Sequence, residues 1–232
     1  DIDYKGKFNL VTNVDRQSQR KIIEIIRSSF PDHSILAEEK GGLKSKKSPY
    51  RWLIDPLDGT NNYAHGYPCF CVSIALEKNK EIILGVVYNP VLNELFFTKA
   101  GKGSFRNGEQ IFTSQTKKIN QSLLSTGFPY SRGKQLENHI KQFRVFMEHC
   151  HGIRRDGSAA LNLCYIAMGR FDGFWEIDLS PWDTAAGCLL VKEAGGKLTN
   201  FSGHPFSHYG KEILATNGLI HKQMLKIIKN PK

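Results

Sequence analysis

A chain of 232 residues that is 40% hydrophobic and 23% charged is long enough to bury roughly two-thirds to three-quarters of its unfolded surface, in one large domain or two modest ones, and too ordinary in composition for extended disorder. It has no uninterrupted run of about 18 apolar residues and no basic-then-apolar leader at Asp1-Ile2-Asp3-Tyr4-Lys5, which argues against membrane spanning and signal-directed export. The net charge of +10 favours phosphorylated or otherwise anionic partners without choosing among them. Much of it sits on Lys40, Lys44, Lys46 and Lys47 and on Lys222, Lys226, Lys229 and Lys232, which read as solvated faces before a nucleic-acid patch.

Along the chain, Asp15 is placed to cap a helix whose apolar stripe is Ile22, Ile23, Ile25, Ile26 and Phe30, stopped by Pro31. His33 to Ala37 reads as a short strand delivering Glu38 and Glu39, of which alternation lets only one point into a site. Tyr50 to Ile54 is an apolar strand expected to end at Asp55-Pro56, because proline cannot continue a central ladder. Strands follow at Phe70 to Glu77, Glu81 to Tyr88 and Leu95 to Thr98, then a tight hairpin turn at Asn107-Gly108. From about Ser122 the texture becomes alternating: strands at Leu123 to Gly127, Gly152 to Arg155 and Gly173 to Ile177, helices at Gln135 to Cys150, Ser158 to Met168 and Pro181 to Ala194. The switch suggests a boundary near residues 128 to 134, dividing the chain into residues 1–130 and 131–232. The five cysteines form no C-x-x-C pair and suit a reducing cytosol. Cys69 and Cys71 share a strand face and fill a core more readily than they bind metal, since no His or Cys lies nearby at zinc spacing.

Chemistry concentrates in Asp55-Pro56-Leu57-Asp58-Gly59-Thr60, where two carboxylates, a constrained backbone, a glycine and a hydroxyl meet at a strand end. Hard cations such as magnesium favour carboxylate and carbonyl oxygens, so Asp55, Asp58 and the Leu57 carbonyl suit them. Gly59 to Asn62 can open a short helix whose amides receive a phosphate. A plain Asp-Gly turn explains the segment equally well in isolation. Farther on, Ser180-Pro181-Trp182-Asp183 looks like an N-cap, a first-turn proline and a first-turn acid, and capping alone would account for Asp183.

Together, D-P-x-D-G-T at 55–60, W-D-x-A-A-G at 182–187, and the flanking Asn9-Leu10-Val11-Thr12-Asn13-Val14-Asp15 and Glu193-Ala194-Gly195-Gly196 resemble the inositol monophosphatase family over nearly the whole chain. The resemblance implies an α/β (α+β) layered sandwich of the inositol monophosphatase and fructose-1,6-bisphosphatase type, with alternating helix and sheet layers. Two or three magnesium ions are then expected between the halves. By matching position, it implies metal ligation by Glu38, Asp55, the Leu57 carbonyl, Asp58 and Asp183, with Glu39 behind them. Thr60 would orient the attacking water, supported by Asp15. The Gly59 and Thr60 amides would contact the phosphate, Asp183 would also contact the substrate, and Glu176 and Gly157-Ser158-Ala159 would line the polyol pocket. The run Arg154 to Ala160 resembles bacterial members. Asn162 stands where those often carry an acid, and family chains usually have a longer N-terminal helical hairpin, so the chain reads as trimmed or incompletely represented, with a mobile metal-binding loop near Lys5-Gly6-Lys7.

The expected activity is hydrolysis of a small phosphorylated polyol or sugar, inositol monophosphate first, by a metal-activated water without a phosphoenzyme, because no Cys, Ser or His lies in a nucleophile motif. A lithium-sensitive cytoplasmic homodimer completes the expectation. Related substrates are fructose 1,6-bisphosphate, histidinol phosphate and 3′-phosphoadenosine 5′-phosphate. A reading from another class is an RNA or transcription-complex binding protein, against which the acidic cluster argues.

Overall fold

The computed structural model describes residues 2–4, 10–39, 43–44, 48–129 and 133–231. The expected loop at Lys5-Gly6-Lys7, together with Asn9, Lys40, Lys46, Lys47 and Lys232, lies outside the described residues. Strand β1 (Ile2–Tyr4) pairs antiparallel with β2 (Leu10–Thr12), which runs straight into α1 (Asn13–Ser29). Thr12, not Asp15, is the N-cap: its extended backbone presents a hydroxyl to the Val14 and Asp15 amides, and Asp15, at the third helical position, reaches back to the Thr12 N–H at 2.8 Å. A carboxylate three residues in is long enough to close that reciprocal box. The helix stops at Phe30, ahead of Pro31, and of its apolar stripe Ile26 is buried while Ile25 and Phe30 stay exposed.

The first sheet comprises β3 (Ser34–Ala37), β4 (Tyr50–Asp58), β5 (Cys71–Lys78), β6 (Glu81–Asn89), β7 (Glu94–Lys99), β8 (Ser104–Arg106) and β9 (Glu109–Ile111), in that spatial order. Only β3 and β4 are parallel; the other neighbours are antiparallel. Asn107 and Gly108 both take positive φ between β8 and β9, as a tight hairpin requires. β4 does not end before Pro56. It continues to Asp58 through a bulge, with Asp55 opposite Ser73 and Asp58 opposite Cys71. Pairing with β3 has already stopped at Ile54, so the missing N–H of Pro56 falls where one ladder is over and the other is bulged.

The second sheet is built from β10 (Leu123–Thr126), β11 (Gly152–Arg154), β12 (Gly173–Ile177), β13 (Lys197–Thr199) and β14 (Glu212–Thr216), ordered β11-β10-β12-β14-β13. Its helices are α3 (Lys134–His149), α4 (Ala159–Ala167), α5 (Pro181–Glu193) and α6 (His221–Lys229), with a short helix at Thr60–Ala64, α2, belonging to the first half. β13, β14 and α6 are elements that the sequence reading leaves unassigned. The chain changes sheet between Ile111 and Leu123, so β10 joins the second sheet although it precedes residue 130.

Three apolar clusters mark the layers. Ile26 of α1 packs on Ile35, Ala37 and Ile54 at one face of the first sheet. Residues of α4 and α5 form the largest core between the sheets, against Leu53, Ala75, Val87, Phe174 and Ala215. Beyond the second sheet, Phe146 of α3 and Met224 and Ile228 of α6 cover Leu124, Trp175 and Leu214. The result is the expected alternation of helix and sheet layers. Cys71 and Cys164 are buried in the central core, Cys69 and Cys188 pack against it, and all five cysteines are free thiols. Among the described residues no helix is long and apolar enough to cross a membrane.

Candidate active site

The bulge at the end of β4 fixes the first part of the site. Asp55, 2% exposed, accepts the Leu57 N–H at 3.0 Å on Oδ1, which curls the backbone around Pro56. Gly59 then turns the chain with φ of 91°, and a Cβ there would lie 2.8 Å from the Cys69 carbonyl oxygen. Glycine alone tolerates both conditions. Thr60 opens α2 behind it, and its hydroxyl lies 3.0 Å from both Asp15 Oδ1 and the Leu57 carbonyl oxygen. Asp15 is fully buried, its second oxygen held by the Thr12 N–H and hydroxyl. A hydroxyl proton directed to these acceptors leaves the Thr60 lone pairs available to another donor.

Asp58 is reached from a distant part of the chain. Its Oδ2 accepts the Ser158 hydroxyl at 2.6 Å and the Ala160 N–H at 2.7 Å, so the start of α4 is docked on the end of β4. Ser158 is therefore 1% exposed and caps α4. Of the expected polyol-lining trio, Gly157 and Ala159 line the cleft and Ser158 does not, because its hydroxyl is already used on Asp58. Asn62 of α2 strengthens the same junction, donating to the carbonyls of Cys69 and Asp156, each at 2.6 Å.

Asp183 occupies the third position of α5, behind Ser180 as N-cap and Pro181 at the helix start. It accepts the Ser180 N–H at 2.7 Å. Capping and cleft lining coexist in one side chain, since a carboxylate has lone pairs for both. Glu38 follows β3, its N–H on the Ile54 carbonyl at 3.1 Å, and lines the cleft. Glu39 is held through its backbone by the Gln19 amide. Glu176, near the end of β12, lies directly against the α-carbon of Gly127, where any side chain would overlap its carboxylate.

These residues surround a cleft of about 340 Å³ between the two sheets, in which Glu38, Asp55, Asp58, Glu176 and Asp183 converge. Among the described lining residues the one cation is Arg155. Burial first, then the charges of Glu38, Asp58 and Asp183, pushes the Asp55 carboxyl well above the usual range. Burial also raises Asp58 to about 6, against the opposing pull of its bonds from Ser158 and Ala160. Asp183 is raised to about 8 by burial and then by Asp58. Glu176 is raised to about 8 by burial, Asp183 and Asp58, with Arg155 opposing.

Among the described residues, no three His, Cys, Asp or Glu side chains close on one point as a finished metal cage. The arrangement is instead a cleft with excess negative charge, all of it on hard oxygen donors. The residues fit a magnesium-type cation: carboxylates plus the Leu57 carbonyl are the right donor chemistry, and an entering divalent ion offsets the burial and mutual repulsion that raise these pKa values. Sequence reasoning missed the parts played by Gly127, Arg155, the Asn62 side chain and the Ala160 amide. Apart from Arg155, whose charge stands beside the quoted Gly157 motif, none carries a signal outside the folded chain.

The sequence model of the inositol monophosphatase family matches residues 1–231. An inositol-1-monophosphatase from Synechocystis is 46% identical over 96% of this chain and 78% of its own length. A Nus factor SuhB from Haemophilus influenzae is 42% identical over 96% of this chain and 84% of its own. The crystal structure of an IMPase/NADP phosphatase complexed with Mg2+ and phosphate superposes with a TM-score of 0.87 at 26% identity, covering 100% of this chain and 87% of that one.

Proposed function

The chain belongs to the inositol monophosphatase family of phosphatases, and on that premise we propose that it hydrolyses a small polyol or sugar phosphomonoester, inositol monophosphate first, with magnesium as cofactor. The observation that carries this reading is the convergence of Glu38, Asp55, Asp58 and Asp183 in one cleft beside the Asp15–Thr60 hydrogen bond. Glu38, Asp55, the Leu57 carbonyl, Asp58 and Asp183 would hold two or three magnesium ions. When bound, magnesium neutralises phosphoryl charge and lowers the pKa of water in the cleft. Asp15 fixes the Thr60 hydroxyl so that it accepts a hydrogen bond from the attacking water and aims it in line with the scissile bond. The amides of Gly59 and Thr60 hold the phosphate, and Glu176 with the backbone of Gly157 and Ala159 receives the hydroxyls of the leaving alcohol.

The test is phosphate release, with magnesium and with chelator, from inositol monophosphate, fructose 1,6-bisphosphate, histidinol phosphate and 3′-phosphoadenosine 5′-phosphate. Magnesium-dependent turnover, greatest on inositol monophosphate and inhibited by millimolar lithium, is expected; no release from any of the four sinks the proposal. The reading includes a cytoplasmic location, in keeping with five free thiols, and a homodimer, which sedimentation measures. A second role at a transcription complex is favoured by the net charge of +10 and by the likeness to a Nus factor. RNA binding that weakens steeply with salt tests it.

A further inference from the structure

Between α3 and the segment joining β13 to β14 lies a second hollow of about 500 Å³. Its outer wall is fixed from behind: His208 Nε2 lies 2.9 Å from Glu77 Oε2, and the Tyr209 hydroxyl donates to the same oxygen at 2.6 Å, pinning this segment to β5 of the other sheet. Phe201 and Phe206 are among the residues that line the hollow. Lys211, at the rim, is engaged with Asp178 at 3.7 Å.

The floor includes His139 and Gln142, one turn apart on α3 and 1% and 6% exposed. Gln142 donates its amide nitrogen to the Ile228 carbonyl at 3.2 Å, and its Oε1 has no hydrogen-bond partner among the described residues. The Thr126 hydroxyl donates to the Trp175 carbonyl at 2.6 Å. His139 Nε2, 2.9 Å from that hydroxyl oxygen, must therefore carry the ring proton, which makes Nδ1 an acceptor, also without a partner among the described residues. Burial keeps the ring neutral, pushing its pKa down to about 4. Buried polar groups almost always find a partner, and here two acceptors one turn apart on α3 lack a donor among the described residues.

We propose that this hollow binds a flat, neutral, hydrogen-bond-donating heterocycle of nucleobase or nucleoside size, whose N–H groups satisfy His139 and Gln142 while its ring lies along Phe201 and Phe206. Both acceptor atoms are closed to solvent in the ligand-free fold, so binding requires the two side chains to turn toward the ligand. The volume falls within the usual range for small-molecule sites, about 300–1,000 Å³. An anion is disfavoured because the floor offers acceptors and the rim adds Asp178 and Glu212. A polyol leaves the two phenyl rings without a flat surface to cover.

Calorimetric titration of the full chain with adenosine and with guanosine, without metal or phosphate, tests this. At least one should bind with Kd at or below about 1 mM. Gln142→Leu and His139→Phe should each weaken binding about tenfold. Asn138→Trp, at an exposed position of the lining, should abolish it with an unchanged unfolding midpoint. Asp58→Asn, in the other cleft, should leave it intact. The proposal is overturned if neither nucleoside binds at about 1 mM, which is the result for a hollow holding only ordered water. It is also overturned if myo-inositol binds as tightly through the same residues, or if binding survives Asn138→Trp and disappears in Asp58→Asn. No turnover is involved, so failure here is separate from failure of the phosphatase reading.

Discussion

Buried acids in this molecule are handled in two opposite ways. Glu94, 5% exposed, receives two hydrogen bonds from Arg170, at 2.6 and 2.9 Å, and one from Arg106 at 3.4 Å. Arg170 is in turn stacked over Tyr165 at 4.9 Å, and its own pKa is raised by the Glu94 bonds. Glu77, 3% exposed, is likewise enclosed by His208, Tyr209 and Arg51. In the cleft, Asp55, Asp58 and Asp183 share a hollow mainly with one another, and burial and repulsion raise all three. The first arrangement completes its charge within the chain and ties elements together. The second is left for a positive charge from outside, so the part of the molecule least satisfied by its own contacts is the part suited to chemistry.

The contrast is tested most strongly by amide substitutions on the two sides. Asp58→Asn is expected to lower magnesium-dependent kcat/KM by at least about a thousandfold with a near-unchanged unfolding midpoint, because an amide oxygen still accepts the Ser158 and Ala160 bonds. Near-normal turnover in that variant removes Asp58 from the proposed metal site.

A second measurement follows the unfolding midpoint of the native chain against pH, with and without magnesium. Asp58, Asp183 and Glu176 have folded-state pKa values raised to about 6, 8 and 8, above the unfolded values of about 4. Their stabilising contribution is complete below pH about 4 and is lost as pH rises toward 8. Metal-free protein should therefore lose cleft stability across that window, and magnesium should restore it. The gap between the two curves should widen by several degrees from pH 6 to pH 8. His139 and His221, both lowered to about 4 by burial, destabilise in the opposite direction as pH falls from about 6.5 to 4, but they act equally on both curves. A constant gap contradicts the cleft assignment.

On the self-satisfied side, Glu94→Gln is expected to cost about 2 kcal/mol in denaturant unfolding, below the usual figure for a broken buried pair because Arg170 is partly exposed. Its kcat/KM should stay within a few-fold of the native value. The smallest effect expected is from Gly127→Ala, whose methyl group must displace the Glu176 carboxylate. KM for the alcohol-bearing substrate should rise about tenfold with a smaller change in kcat; an unchanged KM separates Glu176 from the substrate.

Much of this was legible along the chain. Alternating apolar residues marked β5 to β7, Asn107-Gly108 marked its hairpin, and Ser180-Pro181 marked the start of α5. Each depends on interactions a few residues long, which sequence spacing encodes directly. The end of β4 was misread because proline is usually excluded from ladders, and only the loss of β3 and the bulge against β5 make room for it. The cap of α1 was misread by three residues because Thr12 and Asp15 are both capping types, and the choice between them lies in the backbone angles.

The sequence alone determined the periods, the turns and the acidic motifs at 55–60 and 180–183, because propensity, capping and turn chemistry are local. Tertiary structure decided what those acids face. Asp58 meets Ser158 and Ala160 about a hundred residues on, and Glu176 rests on Gly127, because α4 and α5 are packed between two sheets whose cores fix how the ends of β4, β10, β12 and α5 converge. Burial by that packing, and then the charges it holds together, raises the pKa values of these acids, a property of the fold that no order of residues states by itself.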